Sequence, residues 1–159
     1  MECYEIVDAD GMFLSPEKAE YFLNSVENEI IWAAWDSMGK ITKDNSAIQE
    51  HIDRILAIPY LNLEQIRSRK FKVVLDSVNG AGGLISPYLL EGLGCTVYEI
   101  NSEATGIFAH TAEPLNENLH QLEEAVTFYK ADIGFATDPD VDRLSLVSEQ
   151  GKCIGEELS

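Results

Sequence analysis

Basic side chains are scarce. Eleven Lys and Arg stand against 28 Asp and Glu, a formal charge of -17 with no Lys/Arg run, so the surface repels a polyphosphate backbone and an anionic membrane. Nucleic-acid binding drops out on that ground. Long apolar runs are missing as well. No stretch approaches the roughly 18 consecutive apolar residues of a membrane span, and the opening MECYEIVDADG has neither a basic n-region nor an apolar h-region, so neither membrane insertion nor secretion is expected. Cysteine is limited to Cys3, Cys95 and Cys153. They are far apart, odd in number and without a C-x-x-C pair, which argues against a disulfide framework or a zinc site. They read as reduced fillers in a soluble, cytoplasmic protein. With 45% hydrophobic residues among 159, the chain can bury a real core, and a single domain is the starting expectation.

Periodicity organises the rest. After a short strand-like CYEIV, Ser15-Pro16-Glu17 supplies an N-cap, a helix-compatible proline and an acidic first turn. Ala19, Phe22, Leu23, Val26 and Ile30 then share one helical face. WAAWDSMGKITKDN has no clean period. Ile48, Ile52, Ile55 and Leu56 mark a second helix ending before Pro59, so two helices precede the first convincing strand. From Phe71 the pattern changes: FKVVLD is a nearly continuous apolar run followed by SVNGAGG, as expected of a strand buried on both faces and then a tight turn. Gly82 to Leu93 reads as a helix in which Pro87 is awkward, CTVYEI as a strand, and Leu119, Leu122, Val126 and Tyr129 as a further helix. ADIGFA is another strand, and RLSLVSEQGKCIG a hairpin around Gln150-Gly151 that adds antiparallel edge strands. The expected fold is α/β, a mixed, mostly parallel sheet flanked by helices, with a helical N-terminal extension.

ATDPDVDRLSLV places Asp138, Asp140 and Asp142 at alternate positions just beyond a strand end, where open α/β sheets collect ligands. Carboxylates crowded within about 4 to 6 Å repel unless a cation neutralises them, and an all-oxygen set favours Mg²⁺, Ca²⁺ or Mn²⁺. His51, His110 and His120 show no ligand spacing and read as ordinary surface or partly buried residues. The rival reading of the aspartates is a solvated turn in an acidic protein; Pro139 and the apolar strand before the loop weigh against it. An EF-hand puts an acid at its twelfth position, where Glu149 falls, but needs glycine at the sixth, where Arg143 stands, and helices rather than strands on either side. Arg143 is either a grip for phosphate oxygens beside the metal or a counter-charge for the aspartates. DSVNGAGG fits neither nucleotide-binding glycine pattern and reads as a structural turn rather than an anion cradle.

VVLDSVNGAGG, FAHTAEPLNENL and ADIGFATDPDVDRLSLV, in this order and spacing, resemble the second domain of the α-D-phosphohexomutases, which include the phosphoglucomutase/phosphomannomutase and phosphoglucosamine mutase enzymes. The resemblance covers at least Phe71 to Glu157. It implies that Asp138, Asp140 and Asp142 hold Mg²⁺, that Arg143 contacts a phosphorylated serine, and that hexose 1-phosphates and 6-phosphates are interconverted through a bisphosphorylated intermediate. Pro139, Val141 and Ala112 depart from the usual pattern without touching the ligands.

Upstream, YEIVDADGMFLSPEKAEYFLNSV is similar to the closing strand and helix of the family's first domain. The implied organisation is a first-domain remnant and connecting helices over 1–60, the second domain with its metal loop over 61–155, and the opening of a third domain over 156–159. The serine loop T-A-S-H-N-P, the sugar-recognition segment and the phosphate-binding loop of the family do not occur here. The chain is thus expected to be part of a larger enzyme, to meet hexose phosphates through domains outside it, and to be inactive alone. The same conclusion follows from chemistry: a metal site and one arginine are present, without an activated nucleophile or a basic substrate clamp. The alternative is a non-catalytic Ca²⁺-binding or interaction module.

Overall fold

The computed structural model describes residues 6–27 and 33–155. Cys3, the first residues of CYEIV, Ile30 and the GEELS segment from Glu156 onward lie outside the described residues. The chain divides into two compact units, 1–43 and 44–159.

In the first unit, Val7 and Phe13 form a single antiparallel bridge around a turn closed by Asp8 N to Met12 O (2.7 Å). Helix α1 runs Pro16–Glu27. Ser15 Oγ accepts from Lys18 N (3.3 Å), and Pro16 takes the first helical position, where its missing N–H costs nothing. Lys18 pairs with Asp8, and that hydrogen bond, helped by one from Ala9 N, lowers the Asp8 carboxyl below its ordinary value. Phe22, Leu23 and Val26 of the amphipathic face are open to solvent.

The second unit carries the sheet. Its strands are β1 Lys72–Asp76, β2 Thr96–Ile100, β3 Ile133–Thr137, β4 Leu144–Ser148 and β5 Cys153–Gly155, in the order β2-β1-β3-β4-β5. β1 pairs in parallel with β2 and β3, and β4 runs antiparallel to both β3 and β5. The expected mixed, mainly parallel core with an added hairpin is what forms. β4 lies inside the sheet and β5 at its edge. β1 owes its central place to four consecutive buried residues, Val73 to Asp76, which leave no face for water.

Helix α5, His120–Tyr129, covers one face over β1, β3 and β4, where Leu119, Leu122 and Val126 meet Val74, Ala136 and Val147. Helix α4, Ser86–Gly92, packs by β2 on the opposite face, with Leu90 against Val73 and Leu75. The helix expected over Gly82 to Leu93 is therefore divided: a 3₁₀ turn covers Ala81–Leu84 and α4 follows, with Pro87 in its first turn. Helix α2, Ala47–Leu56, agrees with its apolar pattern, buries Ile52 and packs against α4. Helix α3, Leu63–Arg69, was not expected from periodicity, so among the described residues three helices precede β1 rather than two. Asn62 begins it, its side chain accepting from Gln65 N (3.0 Å), and Lys70 ends it in the left-handed region. Cys95 and Cys153 are free thiols, and burial raises the Cys95 thiol above its ordinary value. No helix among the described residues is long and apolar enough to cross a membrane.

Gly134 is where α5 comes down onto β3. A Cβ there would lie 2.7 Å from Val126 Cγ2 and 3.1 Å from Val147 Cβ. Gly134→Ala should therefore lower stability by about 1–3 kcal/mol through overpacking, read as a fall in the urea midpoint at constant m value.

Candidate metal and phosphate site

The site begins with two strands that end together. Asp76 pairs in register with Ala136, so the loops after β1 and β3 leave the sheet at one end. The first is a turn in which Gly80 N donates to Ser77 O (2.7 Å). Its successive amides are all committed: Val78 N to Asp76 Oδ1, Asn79 N to Asn101 O, Ala81 N to Pro139 O (2.8 Å). The glycine-rich segment thus behaves as a structural turn, with those amides turned inward rather than toward an anion. Its role is to receive the second loop. A Cβ on Gly80 would fall 2.5 Å from Pro139 Cα, so only glycine lets the two backbones approach this closely.

The second loop is the aspartate segment. Val141 N donates to Asp138 O (3.3 Å), closing a turn with Pro139 at the position its fixed φ suits. Val141 takes φ +67°, an uncommon region for a β-branched residue. The turn folds the alternate aspartates onto one another: carboxylate oxygens of Asp138, Asp140 and Asp142 all lie within 4.8 Å of each other. Asp138 is buried and accepts from Arg143 N at 3.1 Å, while Asp140 and Asp142 are exposed. Octahedral Mg²⁺ at about 2.1 Å from each oxygen sets neighbouring ligand oxygens about 3 Å apart and opposite ones about 4.2 Å apart. Oxygens within 4.8 Å of one another are close to that spacing, and the donor set is hard oxygen throughout. The residues present fit a divalent cation.

Arg143 sits against the cluster, with Nε 3.9 Å from Asp138 Oδ2 and 4.0 Å from Asp142 Oδ1, and with Nη1 3.5 Å from Glu113 Oε1. All four residues singled out from sequence are therefore brought together. Glu149 is not among them. It follows β4, and at about 3.4 Å per residue the strand carries it roughly 17 Å from the loop, too far for a twelfth-position ligand. The loop is flanked by β3 and β4, not by helices.

Sequence reasoning passed over Glu113 as a neighbour of Arg143 and Asp76 as an anchor. Asp76, 1% exposed, lies 3.0 Å from His110 Nε2. Nothing local signals that pair, whose members are 34 residues apart. His51 is exposed, and His120 pairs with Glu123 at 3.2 Å. Ser77 Oγ and Thr137 Oγ1, at the ends of β1 and β3, are buried without a hydrogen-bond partner.

Because Gly80 and Pro139 meet backbone to backbone, Gly80→Ala should push the aspartate loop outward. The expected result is amide chemical-shift changes concentrated at residues 138–143 with the strands little changed.

The profile described as "Phosphoglucomutase/phosphomannomutase, alpha/beta/alpha domain II" matches residues 49–151. The chain is 40% identical over 152 residues to the "Probable phosphoglucosamine mutase" of Methanosarcina acetivorans, covering 94% of this chain and 33% of that protein. With the protein of the same name from Pyrococcus abyssi the identity is 36% over 155 residues, 97% of this chain and 33% of the other. The chain thus spans about a third of the length of these curated relatives. Among solved structures, a phosphoglucomutase/phosphomannomutase family protein from Burkholderia thailandensis superposes with TM-score 0.58 and 31% identity, over 67% of this chain and 22% of that one. A Thermus thermophilus protein named for phosphomannomutase gives TM-score 0.72 over 92% of this chain and 33% of that one; at 23% identity it speaks to the fold alone. The chain belongs to the phosphoglucomutase/phosphomannomutase family, and its sheet is that family's α/β/α domain II.

Proposed function

We propose that the protein to which this chain belongs interconverts hexose 1-phosphate and 6-phosphate by intramolecular phosphoryl transfer, and that this part supplies the cation loop. The observation that carries the reading is the convergence of three carboxylates beside one guanidinium at the end of β3, in a family-matched domain. Asp138, Asp140 and Asp142 would hold Mg²⁺, with Asp138 as the buried, pre-oriented member. When bound, the cation supplies positive charge to phosphate oxygens during transfer. Arg143 brings a planar set of donors to the phosphate of a phosphoserine, which in this reading comes from outside the 159 residues. The two curated relatives carry the name "Probable phosphoglucosamine mutase", so glucosamine phosphate is the first substrate to assay, followed by glucose and mannose phosphates.

An acidic chain serving anionic substrates is consistent with this division of labour, because the cationic sugar-phosphate contacts would come from other domains. The reading assigns the reaction to the cytoplasm, in keeping with the free thiols of Cys95 and Cys153.

Two outcomes test it. The complete reading frame should convert hexose 1-phosphates in the presence of Mg²⁺ and lose about a hundredfold or more in kcat on Asp140→Asn; the 159-residue chain should be silent. A long form inert toward every hexose phosphate would reject the reading. The chain alone should bind Mg²⁺ weakly, for want of a phosphate oxygen in the shell, and be indifferent to Glu149→Gln. Calorimetric titration that instead finds tight Ca²⁺ binding dependent on Glu149 would favour a Ca²⁺-binding module.

A further inference from the structure

The phosphoryl-transfer reading leaves a buried polar arrangement at the end of β1 unused. Asp76 is 1% exposed, and a carboxylate so placed needs partners on both oxygens. Oδ1 accepts from Val78 N at 3.0 Å and from Asn101 Nδ2 at 3.2 Å, and Oδ2 lies 3.0 Å from His110 Nε2. The other ring nitrogen, Nδ1, is 2.8 Å from the Thr111 carbonyl. A carbonyl only accepts, so Nδ1 is the donor to Thr111 O, and Nε2 faces the Asp76 carboxyl. The ring is held at both nitrogens.

These bonds tie the connection from β2 to α5 to the end of β1 at Asn101 and at His110. Asn101 begins it at Asp76 and also reaches Gln121 Oε1 (3.1 Å). Three residues beyond His110, Glu113 faces Arg143, and the next carbonyl, Pro114 O, accepts from the buried Ser145 Oγ at 2.6 Å. Asp76, Ala136 and Ser145 are register neighbours across β1, β3 and β4, so the connection crosses the row directly behind the aspartate loop. Among the described residues Arg143 then has three acidic neighbours, Glu113 at 3.5 Å, Asp138 at 3.9 Å and Asp142 at 4.0 Å. The shortest of the three is to Glu113, and the guanidinium stands beyond hydrogen-bonding distance of the two aspartates.

We propose that His110, clamped by Asp76, is a positioning residue for the aspartate loop: it seats the 101–118 connection so that Glu113 draws Arg143 off Asp138 and Asp142. Their oxygens stay open to a divalent cation, and the guanidinium keeps donors to spare for a phosphate. The proposal rests on the reading of the loop as a cation site. An exposed Glu–Arg pair persists little by itself; the buried His110–Asp76 tie keeps Glu113 in reach.

The test is Mn²⁺ titration of the 159-residue chain, read by paramagnetic broadening of the amide resonances of residues 138–143. Wild type, His110→Ala, Arg143→Ala and the double variant complete a thermodynamic cycle. His110→Ala should weaken Mn²⁺ about three- to tenfold, and the loss should vanish when Arg143 is already alanine. His110→Gln, whose amide can still donate to Asp76, should restore most of it. A loss of equal size in both backgrounds, or no loss, overturns the proposal. If His110→Ala does not fold, Glu113→Ala carries the same cycle. A second readout needs no metal: the Arg143 Nε–H resonance should move in His110→Ala and return in His110→Gln, and a resonance unmoved in both overturns the positioning role. Absence of Mn²⁺ broadening in wild type would count against the cation reading, while the arginine resonance would still decide whether His110 positions Arg143.

Discussion

Because β1 and β3 pair in parallel, Asp76 and Ala136 stand side by side and both chains leave the sheet at one end. The two strands also mark the point where the strand order turns, β2 lying to one side of β1 and β3 to the other. Crevices at such points are where open α/β sheets bind ligands. Here the crevice is narrowed by the backbone bond from Ala81 to Pro139, and Gly80 permits the approach. The aspartate turn is thereby braced by a neighbouring loop as well as by its own strand. A shift in the β1–β3 register would separate the loops and scatter the carboxylates.

Crowding three carboxylates in a chain of formal charge -17 costs stability unless something offsets the repulsion. The fold offsets part of it. Asp138, the buried member, receives the Arg143 amide, and the Arg143 guanidinium lies near two of the three. The two exposed members are left to water. Val141 holds a left-handed conformation between them, a strained choice for a β-branched residue and one that places Asp140 and Asp142 on the same side. Strain and repulsion are thus concentrated in one short loop between β3 and β4.

Much of this was legible beforehand because it is written in local pattern. FKVVLD reads as a strand because both its faces are buried, and the α5 residues Leu119, Leu122 and Val126 recur at helical spacing because one stripe meets the sheet. The clustering of Asp138, Asp140 and Asp142 beside Arg143 was legible for the same reason: alternate aspartates, proline and arginine are a local signal. Three features were not. Helix α3 has only Leu63 and Ile66 to show a period, and its Asn62 cap was the one usable sign. Pro87 looked like a defect because the 3₁₀ turn before it, which makes it a first-turn residue, has no apolar period. The His110–Asp76 pair joins residues far apart in sequence, and only the fold brings them within hydrogen-bonding distance.

The most direct test of the cation loop is anomalous diffraction from crystals of the chain grown with Mn²⁺. The account predicts one strong peak bounded by oxygens of Asp138, Asp140 and Asp142 at roughly 2.2 Å, with water completing the shell. A peak elsewhere, or carboxylates that remain splayed and hydrated at saturating Mn²⁺, would contradict it.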